Sequence, residues 1–194
     1  ADIVETAFLM QGLIIARNYF DGDGPEAELR ARINELWHDV DWAWFTRGPS
    51  GSENDGLYWH WSPEYGFAMN MKVTGFNEGM VAYVLALASP THPIPSEAYA
   101  AWSSTDEYRP TGGNGYTLEA GIPYGGPLFI THYSYIGLDP RRLADDKVPH
   151  GYWVRNVTQT LMNRAYCLET APRENRYAAD CWGLTSCDAK DCYR

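Results

Sequence analysis

Positive charge is scarce in this chain. Fifteen lysines and arginines stand against 25 aspartates and glutamates, a formal net charge of −10. A nucleic-acid binder needs a basic patch to meet phosphates, and the sequence has none. Long hydrophobic runs are also missing: the longest, Gly79 to Ala88, is about half of the roughly 20 residues that cross a bilayer. No Lys/Arg-rich amphipathic helix marks a membrane-surface segment. Cysteine is sparse and lopsided, with Cys167, Cys181, Cys187 and Cys192 all in the last 28 residues. Their spacings of 14, 6 and 5, without an interleaved histidine, do not form a zinc pattern. A disulfide in an exported protein and buried free thiols both fit. The motifs H-E-x-x-H, G-x-S-x-G and G-x-x-x-x-G-K-S/T are absent, which removes zincin, α/β-hydrolase and P-loop chemistry. Asp21-Gly22-Asp23-Gly24 is an incomplete calcium loop, and no cofactor or metal is implied. The expected partner is neutral, neither nucleic acid nor membrane.

Aromatic side chains are plentiful, at 14% with eight tryptophans. Tryptophan and tyrosine faces stack on the C–H faces of sugars, so an acidic, aromatic-rich chain suits a carbohydrate. A wet aromatic core, with rings buried and polar tips satisfied, explains the same composition. His60, His92, His132 and His150 are scattered and read as hydrogen-bonding groups rather than metal ligands.

Asp2 and Glu5 open an almost uninterrupted apolar segment, Ile3-Val4 through Phe8-Leu9-Met10 to Leu13-Ile14-Ile15-Ala16. A helix apolar nearly all round is usually buried. Positions i and i+3 share a face, so two carboxylates would stand side by side where ionisation is costly. That arrangement serves acid–base catalysis; the same spacing also fits an N-cap Asp with a capping-box Glu.

The first helix is expected over about Ile3 to Tyr19 or Phe20, broken by Asp21-Gly22-Asp23-Gly24 before Pro25. A second, over about Glu26 to Trp42, carries Leu29, Ile33, Leu36 and Val40 as its apolar stripe. Leu57-Tyr58-Trp59-His60-Trp61 reads as a short strand paired with Phe67 to Val73, a β-hairpin near residues 57–73. Alternation would send Trp59 and Trp61 to one face and His60 to the other. A third helix opens near Gly75-Phe76-Asn77-Glu78 and runs through Ala88, again apolar with an acid at its start. A short helix over about Ser96 to Trp102 leads into a long glycine-rich loop ending at Pro127, and such loops often carry function. Helical character returns over Leu128 to Ile136 and over Tyr152 to Glu169. There Val154, Val157, Leu161, Ala165 and Leu168 form one face and Arg155, Gln159 and Asn163 the other. In an antiparallel all-α array, helices one and three run the same way and bring Asp2, Glu5 and Glu78 to one rim.

Glycoside hydrolysis needs a proton donor and a second carboxylate as base or nucleophile. Glu78, beside Phe76 and Met80, is the candidate acid, because desolvation favours its neutral form, although a helix start stabilises the anion. Asp2 or Glu5 is the candidate opposing base.

Asp2-Ile-Val-Glu5-Thr-Ala-Phe-Leu-Met-Gln-Gly-Leu, Leu57-Tyr-Trp-His-Trp-Ser-Pro, Gly75-Phe-Asn-Glu78, Ser89-Pro-Thr-His-Pro-Ile-Pro95, Gly125-Gly-Pro-Leu-Phe129, His132-Tyr-Ser134 with Gly137-Leu-Asp-Pro140, Asn163-Arg-Ala-Tyr-Cys167 and Cys181-Trp-Gly-Leu-Thr185 resemble the glycoamylase-like domain. That group includes bacterial endo-β-1,2-glucanases and the central domain of cyclic β-1,2-glucan synthases. The resemblance runs in order over essentially the whole chain. It implies part, about half, of an (α/α)6 toroid, so that residues 1–194 form a single partial domain truncated at both ends. It implies β-1,2-glucan as partner and a hydrolase as the activity, with Glu78, Glu5 and Asp2 carrying the family's acidic motifs. His60, Trp61, His132, Trp182 and Asp188 occupy motif positions that line the cleft. Ser186-Cys187-Asp188-Ala189-Lys190 departs from the usual Ala-Ser-Asp-Gly-Pro and weakens the case for Asp188. The rival activities are a transglycosylase, as in the synthase-related members, and a non-catalytic glucan-binding scaffold. A free glucanase implies a periplasmic or secreted protein, and a synthase domain implies a protein of the cytoplasmic membrane.

Overall fold

A computed structural model describes residues 1–51, 56–104 and 110–186. The chain folds into two compact units: Ala1–Gly75 with Gly79–Thr105, and Phe76–Glu78 with Asp106–Arg194.

In the first unit, α1 spans Ile3–Tyr19, α2 Pro25–Asp39, α3 Met80–Ala88 and α4 Tyr99–Trp102. Asp2 starts α1 from an extended conformation and caps it through its side chain, satisfying amides that have no partner within the helix. Pro25 occupies the first turn of α2, behind a Gly24 at φ 64°, where its missing N–H costs nothing. Against α1 pack α2 and α3. The shared core draws Ile3, Val4, Ala7 and Met10 from α1, Ile33 and Trp37 from α2, and Met80 to Tyr83 with Ala86 from α3. Trp42 and Trp102 are completely buried. The tyrosine in this otherwise apolar α3 has a reason. Tyr83 Oη donates to the Val73 carbonyl (2.9 Å) and accepts from the Leu57 amide (2.9 Å), closing two loop groups that burial would otherwise strand.

Two sequence expectations need correction here. Burial of α1 is one-sided: Leu9 and Tyr19 are 61% and 77% exposed, because α2 and α3 cover a single flank. On α2 the buried positions are Ile33 and Trp37, one turn apart, while Leu29 and Leu36 are exposed; the larger indole outcompetes the leucines for the core. The pairing expected near residues 57–73 exists as isolated bridges, Tyr58 with Lys72 and Ser62 with Gly66. Backbone bonds from Trp59 N to Met71 O and from Val73 N to Leu57 O, each 2.8 Å, support it.

The regular ladder lies in the second unit, where β1 (Thr111–Gly113) pairs antiparallel with β2 (Tyr116–Leu118). Asn114 and Gly115 link them with φ of 49° and 80°, the left-handed pair that a two-residue hairpin turn requires. Then come α5 (Leu128–His132), a 3₁₀ turn over Tyr133–Ile136, and α6 (Tyr152–Ala165).

The orientation of α6 reverses the usual arrangement. Its polar stripe is buried: Arg155, Gln159 and Asn163 are at most 3% exposed. They donate in sequence to the carbonyls of Ala120 (2.9 Å), Gly125 (2.6 Å) and Gly126 (2.5 Å). Trp153, Val154, Val157 and Leu161 face outward. The loop over 120–126 offers carbonyls that no strand or helix satisfies, and helical spacing of three side-chain donors meets them one by one. Gly125 permits the approach: at φ +85°, an added Cβ would stand 2.7 Å from the Asn163 amide nitrogen.

Among the described residues, no helix is long and apolar enough to cross a membrane. Cys167 and Cys181 are free thiols, while Cys187 and Cys192 lie outside the described residues.

Gln159→Leu keeps the volume but strands the Gly125 carbonyl, and is expected to cost about 1–3 kcal/mol. Gly125→Ala is expected to cost at least as much, through its positive φ and backbone clash. Chemical denaturation of both variants followed by circular dichroism measures this; unchanged midpoints would disprove the role assigned to the buried stripe.

Candidate active site

Asp2 is held at both of its carboxylate oxygens. Oδ1 accepts from the amides of Val4 and Glu5, both at 3.0 Å. Oδ2 accepts from Trp59 Nε1 at 3.1 Å and lies 3.2 Å from His60 Nε2. The backbone sets up this convergence: Ile3 N donates to Trp59 O at 3.0 Å, and Asp2 and His60 form a bridge. Trp59 and His60 therefore do not point to opposite faces as strict alternation predicts. Their rings stack at 20° with centroids 6.1 Å apart, because a single bridge, unlike a continuous ladder, leaves the pleat unenforced.

Capping also separates Asp2 from Glu5. An N-cap residue lies outside the helical geometry, so the two acids do not present a shared i, i+3 face. Glu5 is exposed.

Beside Asp2 opens a cleft of about 690 Å³ lined by His60, Trp61, Ser62, Tyr65 and Met69. Trp61 forms part of its wall, its ring edge-on to Trp44 at 5.6 Å, and Arg47 lies over Trp44 at 4.6 Å. Tyr65 and Met69 are mostly exposed. They offer an apolar rim above a carboxylate, a combination that accepts the faces and hydroxyls of a polyol. Tyr65 and Met69 were not singled out in the sequence; their place in the segment after Trp-His-Trp-Ser-Pro is the signal available.

Glu78 belongs to the second unit and precedes α3 by two residues, in a turn rather than in the helix itself. It is half-buried. Its segment is pinned from both ends. Ser134 Oγ donates to the Glu78 carbonyl at 2.6 Å, and Phe76 lies under the Arg155 guanidinium at 3.3 Å while stacking on Tyr152 at 16°. A buried cation on a ring face is worth more than an exposed one, so Arg155 fixes both the 120–126 loop and the residues leading to Glu78.

His132 Nε2 lies 2.9 Å from Thr160 Oγ1, whose own hydroxyl donates to Asn156 O. The histidine is thus the donor, carrying its proton on Nε2. Burial lowers its pKa below the ordinary imidazole value of 6.5. His132 lines a 270 Å³ cleft with Trp153 and Thr160. Trp182 lies 6.0 Å from the Arg164 guanidinium, and its segment is tied to α5 by Leu128 N donating to Leu184 O. Asp139, in the Gly-Leu-Asp-Pro motif, caps a 3₁₀ turn. The Arg141 side chain and amide hold its carboxyl down to about 2. Asp188 lies outside the described residues. Among the described residues, no three His, Cys, Asp or Glu side chains gather as a metal site requires.

The Glycoamylase family profile matches residues 70–194. An exo β-1,2-glucooligosaccharide sophorohydrolase (non-reducing end) of Parabacteroides distasonis is 38% identical over 96% of this chain and 28% of its own length. The endo-β-1,2-glucanase structure from Chitinophaga pinensis, in complex with sophorotriose and glucose, is 41% identical with a TM-score of 0.84. It covers all of this chain, which spans 46% of that one. A structure from Bacteroides fragilis NCTC 9343, described only provisionally as a glucoamylase, is 43% identical with a TM-score of 0.87, again over all of this chain and 46% of its own. The chain thus spans about half the length of these solved relatives, as expected of about half of an (α/α)6 toroid. This chain belongs to the Glycoamylase family.

Proposed function

We propose that the protein carrying this chain hydrolyses β-1,2-linked glucan by acid–base catalysis. Glu78 is the proton donor to the glycosidic oxygen. Asp2 is the base that takes a proton from the attacking water. The C1–oxygen bond to the leaving sugar breaks as the bond from water to C1 forms, with inversion at C1. Asp2 is preferred over Glu5 for the base because Asp2 opens onto the aromatic cleft. Its neighbours are amides and ring nitrogens, to which a carboxylate offers acceptors. Glu5, on the first turn of α1, is a supporting acid. Trp61, His132 and Trp182 are the sugar-contacting candidates, Asp188 remains one on motif grounds alone, and His60 stands in the cleft wall against Asp2. The observation that carries this reading is a multiply held carboxylate beside a cleft rimmed with Trp61 and Tyr65, in a family whose similar members include two named β-1,2-glucan hydrolases. The activities of those relatives favour hydrolysis over glycosyl transfer. A free hydrolase of this kind acts in the periplasm or outside the cell.

Incubating the full-length protein with linear β-1,2-glucan is expected to release short oligosaccharides with the α-anomer first, as read by NMR. Glu78→Gln should lower kcat by roughly 10²–10⁴-fold. Unchanged turnover in that variant would remove Glu78 as the acid; retained anomers with longer products would favour the transglycosylase, and binding without any cleavage in the parent the scaffold.

His132 should titrate below 6.5 in an NMR titration of its ring protons. Because the folded state holds it neutral, its contribution to stability is complete above the unfolded value. That contribution is lost as pH falls through the lowered folded pKa. A midpoint at or above 6.5 would contradict this.

A further inference from the structure

Trp59 stands next to both cleft candidates of its motif yet has a different task. Its indole nitrogen donates to Oδ2 of Asp2 at 3.1 Å, the oxygen that His60 Nε2 approaches to 3.2 Å. The helix cap occupies Oδ1. A cap bond to one oxygen leaves the carboxylate plane free to swing about that contact, and a donor on the second oxygen removes the freedom. The donor itself cannot drift: Trp59 N donates to Met71 O at 2.8 Å and Trp59 O accepts from Ile3 N at 3.0 Å. His60 is the dependent partner. Its Nδ1 is buried without a hydrogen-bonding partner, so its orientation comes from Asp2 on one side and from the parallel indole of Trp59 on the other.

We propose that Trp59 is a positioning residue. With His60 stacked against it, it fixes the plane of the Asp2 carboxylate, so that the bridged 57–61 segment and α1 together aim the base at the cleft. His60 accordingly acts on Asp2 rather than on the sugar. The inference rests on the reading of Asp2 as base, and its test separates the two.

Trp59→Phe removes the donor and keeps an aromatic ring. In the full-length protein it should lower kcat on linear β-1,2-glucan by roughly ten- to a hundredfold, the scale of one hydrogen bond to a charged group. KM should stay within about twofold, because the contact serves the chemical step rather than binding. His60→Gln, which can present an amide donor, should retain most of the activity, and His60→Leu should lose it. Full kcat in Trp59→Phe while Asp2→Asn abolishes turnover overturns the positioning role and leaves Asp2 as base. A raised KM at unchanged kcat also overturns it, making Trp59 a sugar contact. Full turnover in Asp2→Asn overturns the underlying reading instead.

A second measurement needs no turnover and covers the case in which Trp59→Phe fails to fold. The Trp59 indole N–H resonance of the full-length protein should shift on Asp2→Asn. An unmoved signal shows that the contact is not made.

Discussion

One carboxylate is asked to satisfy two elements of secondary structure at once. The first turn of α1 needs an acceptor for its unpaired amides, and the Asp2–His60 bridge brings the ring nitrogens of Trp59 and His60 to the same carboxylate. Asp2 serves the helix with Oδ1 and the bridge with Oδ2. Asparagine has a single carbonyl oxygen and cannot accept from both sides, and glutamate would carry the charge a methylene beyond the cap position. The start of α1, the seating of the 57–61 segment and the orientation of the cleft wall therefore depend on the same side chain. The functional and capping readings of Asp2 are compatible for this reason: each uses a different oxygen.

The second unit solves a comparable problem from the donor side. Its 120–126 loop folds back with carbonyls that lack backbone partners, and α6 meets them with a stripe of arginine, glutamine and asparagine. The guanidinium of Arg155 is used twice, in the plane for hydrogen bonds and on its face against Phe76. Because Phe76 leads to Glu78, the satisfaction of a loop and the seating of the candidate acid share one residue.

Local chemistry was the legible part of the sequence. The Gly24-Pro25 boundary, the extent of α1, the break after Leu128–Ile136 and the dual promise of Asp2 all follow from capping, proline geometry and period. What the pattern could not supply was direction. Alternation of apolar and polar residues identified both faces of α6 correctly but not which one is buried, since the polar face is the one that a carbonyl-rich loop demands. The same blindness placed Leu29 and Leu36 inside and treated α1 as enclosed, because a helix's neighbours are not written in its own residues. The hairpin of β1 and β2 lies inside the stretch expected as a glycine-rich loop, although its Asn114-Gly115 dipeptide is a hairpin turn signal. The convergence of Trp59 and His60 on one oxygen depends on an isolated bridge, which periodicity does not encode.

The tryptophans are unevenly divided. Trp37, Trp42, Trp44, Trp59, Trp61 and Trp102 belong to the first unit, and only Trp153 and Trp182 to the second. Trp42 and Trp102 are sealed from water, while Trp153 is half exposed. Ultraviolet emission from this chain is therefore chiefly a report on the unit that contains Asp2: a red shift records water reaching Trp42 and Trp102. Loss of the second unit's order would pass almost unseen by the same detector.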